Sequence, residues 1–148
     1  MAASVFVGLV LLVAGAAKLR QPEWPASAAA FGAPRRLATA IPWIEVAVGA
    51  LLVTSVGLPW TAMAAAGLLL AFTAMVALRL LLGQPVPCGC FGETSSRPVG
   101  FDTLARNVVL LLAALAAAIT GRGGGGPVSV VAGVAAAVAF VLAARSRA

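Results

Sequence analysis

WTAMAAAGLLLAFTAMVALRLLL, residues 60–82, carries one charge, Arg79, and runs directly into GQPVPCGCFGE, residues 83–93. As a helix the first string is long enough to cross a bilayer, which takes about 20 apolar residues. The second holds both cysteines of the chain, Cys88 and Cys90, in a Pro- and Gly-rich segment that cannot continue a helix. An apolar span that ends in a thiol-bearing loop predicts a membrane helix with chemistry at its rim.

The rest of the chain repeats the apolar half of that pattern. Of 148 residues, 62% are hydrophobic and 9% charged, where soluble domains run at roughly 45–50% and about 25%. A soluble fold of this size must wet its outside and cannot hide so much hydrocarbon. The composition therefore predicts an all-α polytopic membrane bundle of five transmembrane helices, a four-helix core plus a C-terminal helix, in one domain over residues 1–148. The expected helices are about 3–19, 41–58, 60–82, 102–119 and 128–144, with the cysteine loop at 83–101. The partner implied is the lipid bilayer, and the expected location is the cell membrane as a multi-pass integral protein.

Other classes are excluded by the same residues. The net charge of +6 comes from ten Lys and Arg against four Asp and Glu, and the basic residues are scattered at the ends of apolar runs with no basic stripe, so no nucleic-acid partner is expected. With no histidine in the chain, imidazole metal ligation and His-based acid–base catalysis are out. Val13 to Ala17 looks superficially like a signal-peptide cleavage site, but no basic stretch precedes it, so a retained first helix is expected. Between the first two spans, Ala26 to Phe31 reads as a short interfacial helix, and Trp24 and Trp43 suit the headgroup level.

Helix parity then places the polar groups. In an antiparallel run, the end of the first span, the start of the second, the end of the third and the start of the fourth share one membrane face. Those places hold Lys18, Glu45, Arg79 and Arg106, and the loop on that face holds Cys88 and Cys90. Glu45 stands about four residues into its expected span, roughly 6 Å by helical rise. A carboxylate in an apolar span requires pairing or protonation, so it marks either a functional group or a tie to Lys18 or Arg79 that fixes helix register. Arg79 and Arg106 flank the cysteine loop, where positive charge and the start of the fourth span would favour a thiolate. The bland alternative for each Arg is snorkelling to headgroups.

Cys88-Gly89-Cys90 leaves three readings open. Cysteines at i and i+2 can close a small strained disulfide across a permissive glycine, which suits exchange better than stapling. Two adjacent thiolates could instead hold Cu(I), whereas zinc would lack further ligands. The third reading is a pair of small structural residues or a permanent link closing almost no loop. No residue pattern identifies a cofactor; a quinone between the helices would suit a two-electron thiol couple, but no motif points to one. A transporter or Cu(I)-handling protein, and a non-catalytic membrane scaffold, are the rivals to a redox protein.

Three stretches resemble one known group. Gly15-Ala16-Ala17-Lys18-Leu19-Arg20-Gln21-Pro22 resembles the G-x-x-K-L-x-x-P close of the first helix in the MauE/DoxX family of small membrane proteins. Ile44-Glu45-Val46-Ala47-Val48-Gly49 is similar to the Glu-containing second helix of that family, and Cys88-Gly89-Cys90-Phe91-Gly92 with Arg106-Asn107 is similar to the motif of its MauE, or methylamine-utilisation, branch. The resemblance implies a redox-associated membrane protein, possessing thiol–disulfide oxidoreductase character and linked to disulfide maturation of the methylamine dehydrogenase small subunit beside a thioredoxin-like partner. It makes Cys88 and Cys90 the redox pair, with Lys18, Glu45 and Arg106 as motif positions.

Charge and resemblance disagree on orientation. Lys18, Arg20, Arg35, Arg36, Arg79, Arg97, Arg106, Arg145 and Arg147 fall on the cysteine face and Arg122 on the other. The positive-inside rule puts that face in the cytoplasm, whereas a role in extracytoplasmic disulfide formation requires the reverse.

Overall fold

The computed structural model describes residues 2–84, 100–120 and 127–146. They form six helices: α1 (Ala2–Arg20), α2 (Trp24–Ala30), α3 (Arg35–Val53), α4 (Trp60–Leu81), α5 (Phe101–Thr120) and α6 (Pro127–Ser146). Helices α1, α3, α4 and α5 are each long and apolar enough to cross a membrane, and α6 adds a shorter apolar segment, Val131–Ala143. The expected all-α polytopic bundle is what the chain forms. Leucines such as Leu70, Leu78 and Leu112 stay exposed on its outside, a surface suited to lipid and not to water.

Helix α1 is the axis of the packing. It is apolar nearly all round, and its buried residues (Val5, Val7, Val10, Leu11 and Ala14 among them) face several directions, as a helix surrounded by others should. It packs against α3, α5 and α6, while α4 packs chiefly on α5. A second, smaller cluster of Trp24, Ala28 and Ala38 ties α2 to the start of α3.

Glycine sets the α1–α3 contact. A Cβ on Gly8 would stand 2.8 Å from the Gly49 carbonyl oxygen, and one on Gly15 would stand 2.8 Å from that of Pro42. Residues 8 and 15 of α1 thus meet 49 and 42 of α3, so the two helices run antiparallel. Small residues permit this approach in lipid, where burial of apolar surface gives helices no drive to associate. Helix α6 meets α1 at Gly133, whose missing Cβ would lie 2.6 Å from the Ala2 carbonyl oxygen, and Phe140 stacks edge-on against Phe6. Position 133 therefore faces 2 and position 140 faces 6. Helix α6 runs parallel to α1, as the fifth long helix of an alternating chain must once the short α2 is set aside.

The second span differs from its expected bounds of 41–58 at both ends. It begins at Arg35, after Pro34 in extended conformation, and takes Pro42 into its interior. It ends at Val53 because Ser55 turns left-handed (φ 57°). The Val56 N–H then bonds the Leu51 carbonyl and the Ser55 N–H the Leu52 carbonyl, a cap that closes the last turn. Helix α4 closes the same way with Gly83 at φ 63°, the Gln84 N–H reaching back to the Arg79 carbonyl.

Candidate functional site

Lys18 follows Gly15 by three residues on α1, so it stands on the same stripe, one turn further along. On α3 the buried positions are Ala38, Pro42, Glu45, Gly49 and Leu52, a three-and-four spacing that turns Glu45 toward α1. The close contact at Gly15 brings these two stripes together. Lys18 Nζ donates to Glu45 Oε1 in a salt bridge whose side chains are 3% and 2% exposed. Glu45 is thus paired with Lys18 and not with Arg79. It also stands ten residues into its helix and not four, because α3 begins at Arg35.

The ammonium is held by rings as well as by charge. Its nitrogen lies 4.7 Å from the centroid of Trp24 and 4.5 Å from that of Phe72, both within the range of a cation–π attraction. Trp24 is 5% exposed, so its ring packs inside the protein. What draws it inward is Pro42. A proline inside a helix lacks the N–H that would bond the carbonyl four residues back, which here is Ala38. The Trp24 indole N–H donates to that oxygen at 2.8 Å. The short helix α2, started by Pro25 and ended at Gly32 with φ 90°, therefore supplies α3 with its missing donor. The same ring covers Lys18.

The fourth wall comes from α5. Its buried residues Thr103, Asn107, Leu110, Ala114 and Ala117 form one stripe, and Asn107, 9% exposed, lines with Lys18 and Glu45 a cavity of about 30 Å³ whose walls include Leu69, Phe72 and Leu110. Helices α1, α3, α4 and α5 all meet at this point. Among the described residues no cluster of acidic, Cys or His side chains gathers that could hold a metal.

Of the residues singled out from sequence, Lys18 and Glu45 are joined directly. Arg79 lies to the side: its Nη1 donates to Gln84 Oε1 at 2.8 Å, and its other terminal nitrogen is near Gly32 of the α2–α3 turn. Arg106 is half-buried on α5, beside Asn107. Cys88 and Cys90 lie outside the described residues. Sequence reasoning missed Trp24 and Phe72 as parts of the site and quoted Asn107 only as a motif residue, with no role. For Asn107 a signal existed, since residues 103, 107, 110, 114 and 117 repeat at helical spacing; for Trp24 and Phe72 none did.

The family model described as "Methylamine utilisation protein MauE" matches residues 1–120, which include both members of the ion pair and all of α1 to α5. A curated protein of Paracoccus denitrificans, "Methylamine utilization protein MauE", is 37% identical over 122 residues, 77% of this chain and 65% of its own length. No solved structure matches the chain. The expected resemblance is thereby borne out: this multi-pass membrane chain belongs to the MauE family.

Proposed function

We propose that the chain is a thiol–disulfide exchange protein of the cell membrane, with Cys88 and Cys90 as its redox pair. In this reading it works with a thioredoxin-like partner in methylamine utilisation, maturing the disulfides of an enzyme such as the methylamine dehydrogenase small subunit. The observation that carries the reading is the buried Lys18–Glu45 pair. It lies among Phe72 of α4 and Asn107 of α5, and the chain's two thiols fall in sequence between those two helices. Family membership supports the same conclusion.

The chemistry follows from two thiols and a partner disulfide. A thiolate of the pair attacks one partner sulfur, breaking the partner's S–S bond and forming a mixed disulfide, while the released partner thiolate takes up a proton. The second cysteine attacks the mixed disulfide, closes the Cys88–Cys90 bond and releases the other partner thiolate. The partner gains two electrons and the pair loses two; run backwards, the same steps oxidise the partner. Arg79 and Arg106, on the helices either side of the segment, favour the attacking thiolate.

Replacing either cysteine tests this directly. Cys88→Ser and Cys90→Ser are each expected to abolish exchange with a thioredoxin-like protein while leaving membrane insertion unchanged. Full activity in both variants would end the redox reading, and stoichiometric copper in the purified reduced protein would replace it with Cu(I) handling. Labelling of the thiols on intact cells by a membrane-impermeant maleimide decides which face they occupy.

A further inference from the structure

Glu45 has two carboxylate oxygens and the salt bridge uses one. Oε1 accepts from Lys18, while Oε2, equally buried, has no hydrogen-bond partner among the described residues. A buried carboxylate oxygen left bare is costly, and protein interiors meet such demands with ordered water when no side chain can reach. Glu45 also lines a cavity of about 30 Å³, above the roughly 10–15 Å³ that one water requires. Most of its lining is hydrocarbon, including Leu69 and Leu110, and an apolar void of this kind would stay dry. The exceptions are Lys18, Glu45 and the buried amide of Asn107, which together give a water the two to four polar partners it needs.

We infer that this cavity is a binding site for a single ordered water that donates to Glu45 Oε2 and bonds the Asn107 side chain, with Asn107 as its positioning residue. The water links the ion pair of α1 and α3 to α5, the helix that follows the cysteine segment. It thus gives a bundle held mostly by small-residue packing one polar tie through its centre. This inference rests on the ion pair and its cavity alone and is independent of the thiol chemistry.

The test is infrared spectroscopy of the full chain in lipid nanodiscs, in ordinary and in oxygen-18 water. Wild type is expected to show a narrow water O–H stretch, set apart from bulk, that shifts with the isotope. Asn107→Leu should lose the band, and Asn107→Ser, which keeps a hydroxyl and leaves more room, should retain it. Should Asn107→Leu fail to fold, Ala14→Val extends two methyl groups from the α1 wall of the same cavity and should remove the band with every polar group in place. Absence of the band in wild type would overturn the inference, as would its survival in a folded Asn107→Leu or Ala14→Val protein.

Discussion

Helix α1 makes two close seams, one with α3 and one with α6, and they use the same device to enclose different things. In each, a glycine lets one helix touch the other's backbone: Gly15 against the Pro42 carbonyl, Gly133 against the Ala2 carbonyl. The α3 seam uses that closeness to press Lys18 onto Glu45 under Trp24 and Phe72. The α6 seam uses it to set Phe6 edge-on to Phe140, ring centroids 5.6 Å apart. Further along it opens into a wholly apolar crevice of about 270 Å³ walled by Leu9, Val13 and Val138. The family match spans the first seam and stops at residue 120, before α6 begins. Close packing is therefore general to this bundle, and buried charge is what distinguishes the seam that lies within the family match.

The sharpest way to break that contrast is to remove one charge. Lys18→Met leaves Glu45 buried without its cation, and Glu45→Leu leaves an ammonium between two rings. Either change is expected to destabilise the fold by about 3–5 kcal/mol, the usual penalty for stranding one half of a buried pair. The double variant should recover most of that loss, because two apolar side chains of similar volume need no compensation. Denaturant unfolding in lipid nanodiscs measures all three. A double variant as unstable as the singles would mean that the seam depends on shape and not on charge, and the two seams would then be alike.

Glycine substitution asks the complementary question. Gly15→Ala pushes a methyl into the Pro42 backbone and should cost up to about 3 kcal/mol, as overpacking does, while also parting Lys18 from Glu45. Gly133→Ala meets backbone at a similar distance, but at the first turn of α1, where the helix end can shift. A smaller loss of unfolding midpoint is expected there, with exchange activity unchanged. Equal losses from both would show that α6 is held as firmly as α3.

Much of the α3 seam was legible before any coordinates. Helix parity put Lys18 and Glu45 at the same end of the bundle, and the cost of a lone carboxylate in hydrocarbon required a partner for it. The choice between Lys18 and Arg79 was not legible, because it depends on which glycines touch. Gly15 makes Lys18 the near cation, while Arg79 turns toward Gln84. The start of α3 at Arg35, ahead of the expected 41, was not legible either, since it leaves Pro42 inside the helix. An interior proline ordinarily marks a helix boundary, and nothing local reveals that an indole from a separate short helix will bond the carbonyl that proline orphans. Asn107 was quoted only as part of a family motif, because a neutral amide on an apolar helix gives no sign of the ion pair it lies near. Cys88 and Cys90 remain expectations of sequence and family alone.

The Trp24–Ala38 bond gives a finer test of the same seam. Trp24→Phe keeps a ring over Lys18 and removes only the indole N–H, stranding the Ala38 carbonyl. A loss of about 1–3 kcal/mol is expected, the range for a buried acceptor left unmade. In a Pro42→Ala background the helix supplies its own N–H to that carbonyl, so the same Trp24 change should cost far less. A double-mutant cycle on unfolding free energies reads the difference. Equal costs in the two backgrounds would detach Trp24 from Pro42 and leave it simply as a lid on the ammonium.

Phe140→Leu on the α6 seam carries the smallest expected effect. It exchanges one apolar side chain for another and forfeits the edge-to-face contact with Phe6, worth about 0.5–1.5 kcal/mol beyond area burial. In lipid even that is an upper bound, since the bilayer takes up whatever surface the ring uncovers. Unfolding should therefore shift little, and both thiol exchange and the isotope-sensitive water band near Glu45 should be untouched. If Phe140→Leu disturbed either of those readouts as much as Asn107→Leu does, α6 would have to act on the polar centre through α1. The seam outside the family match would then belong to the site after all.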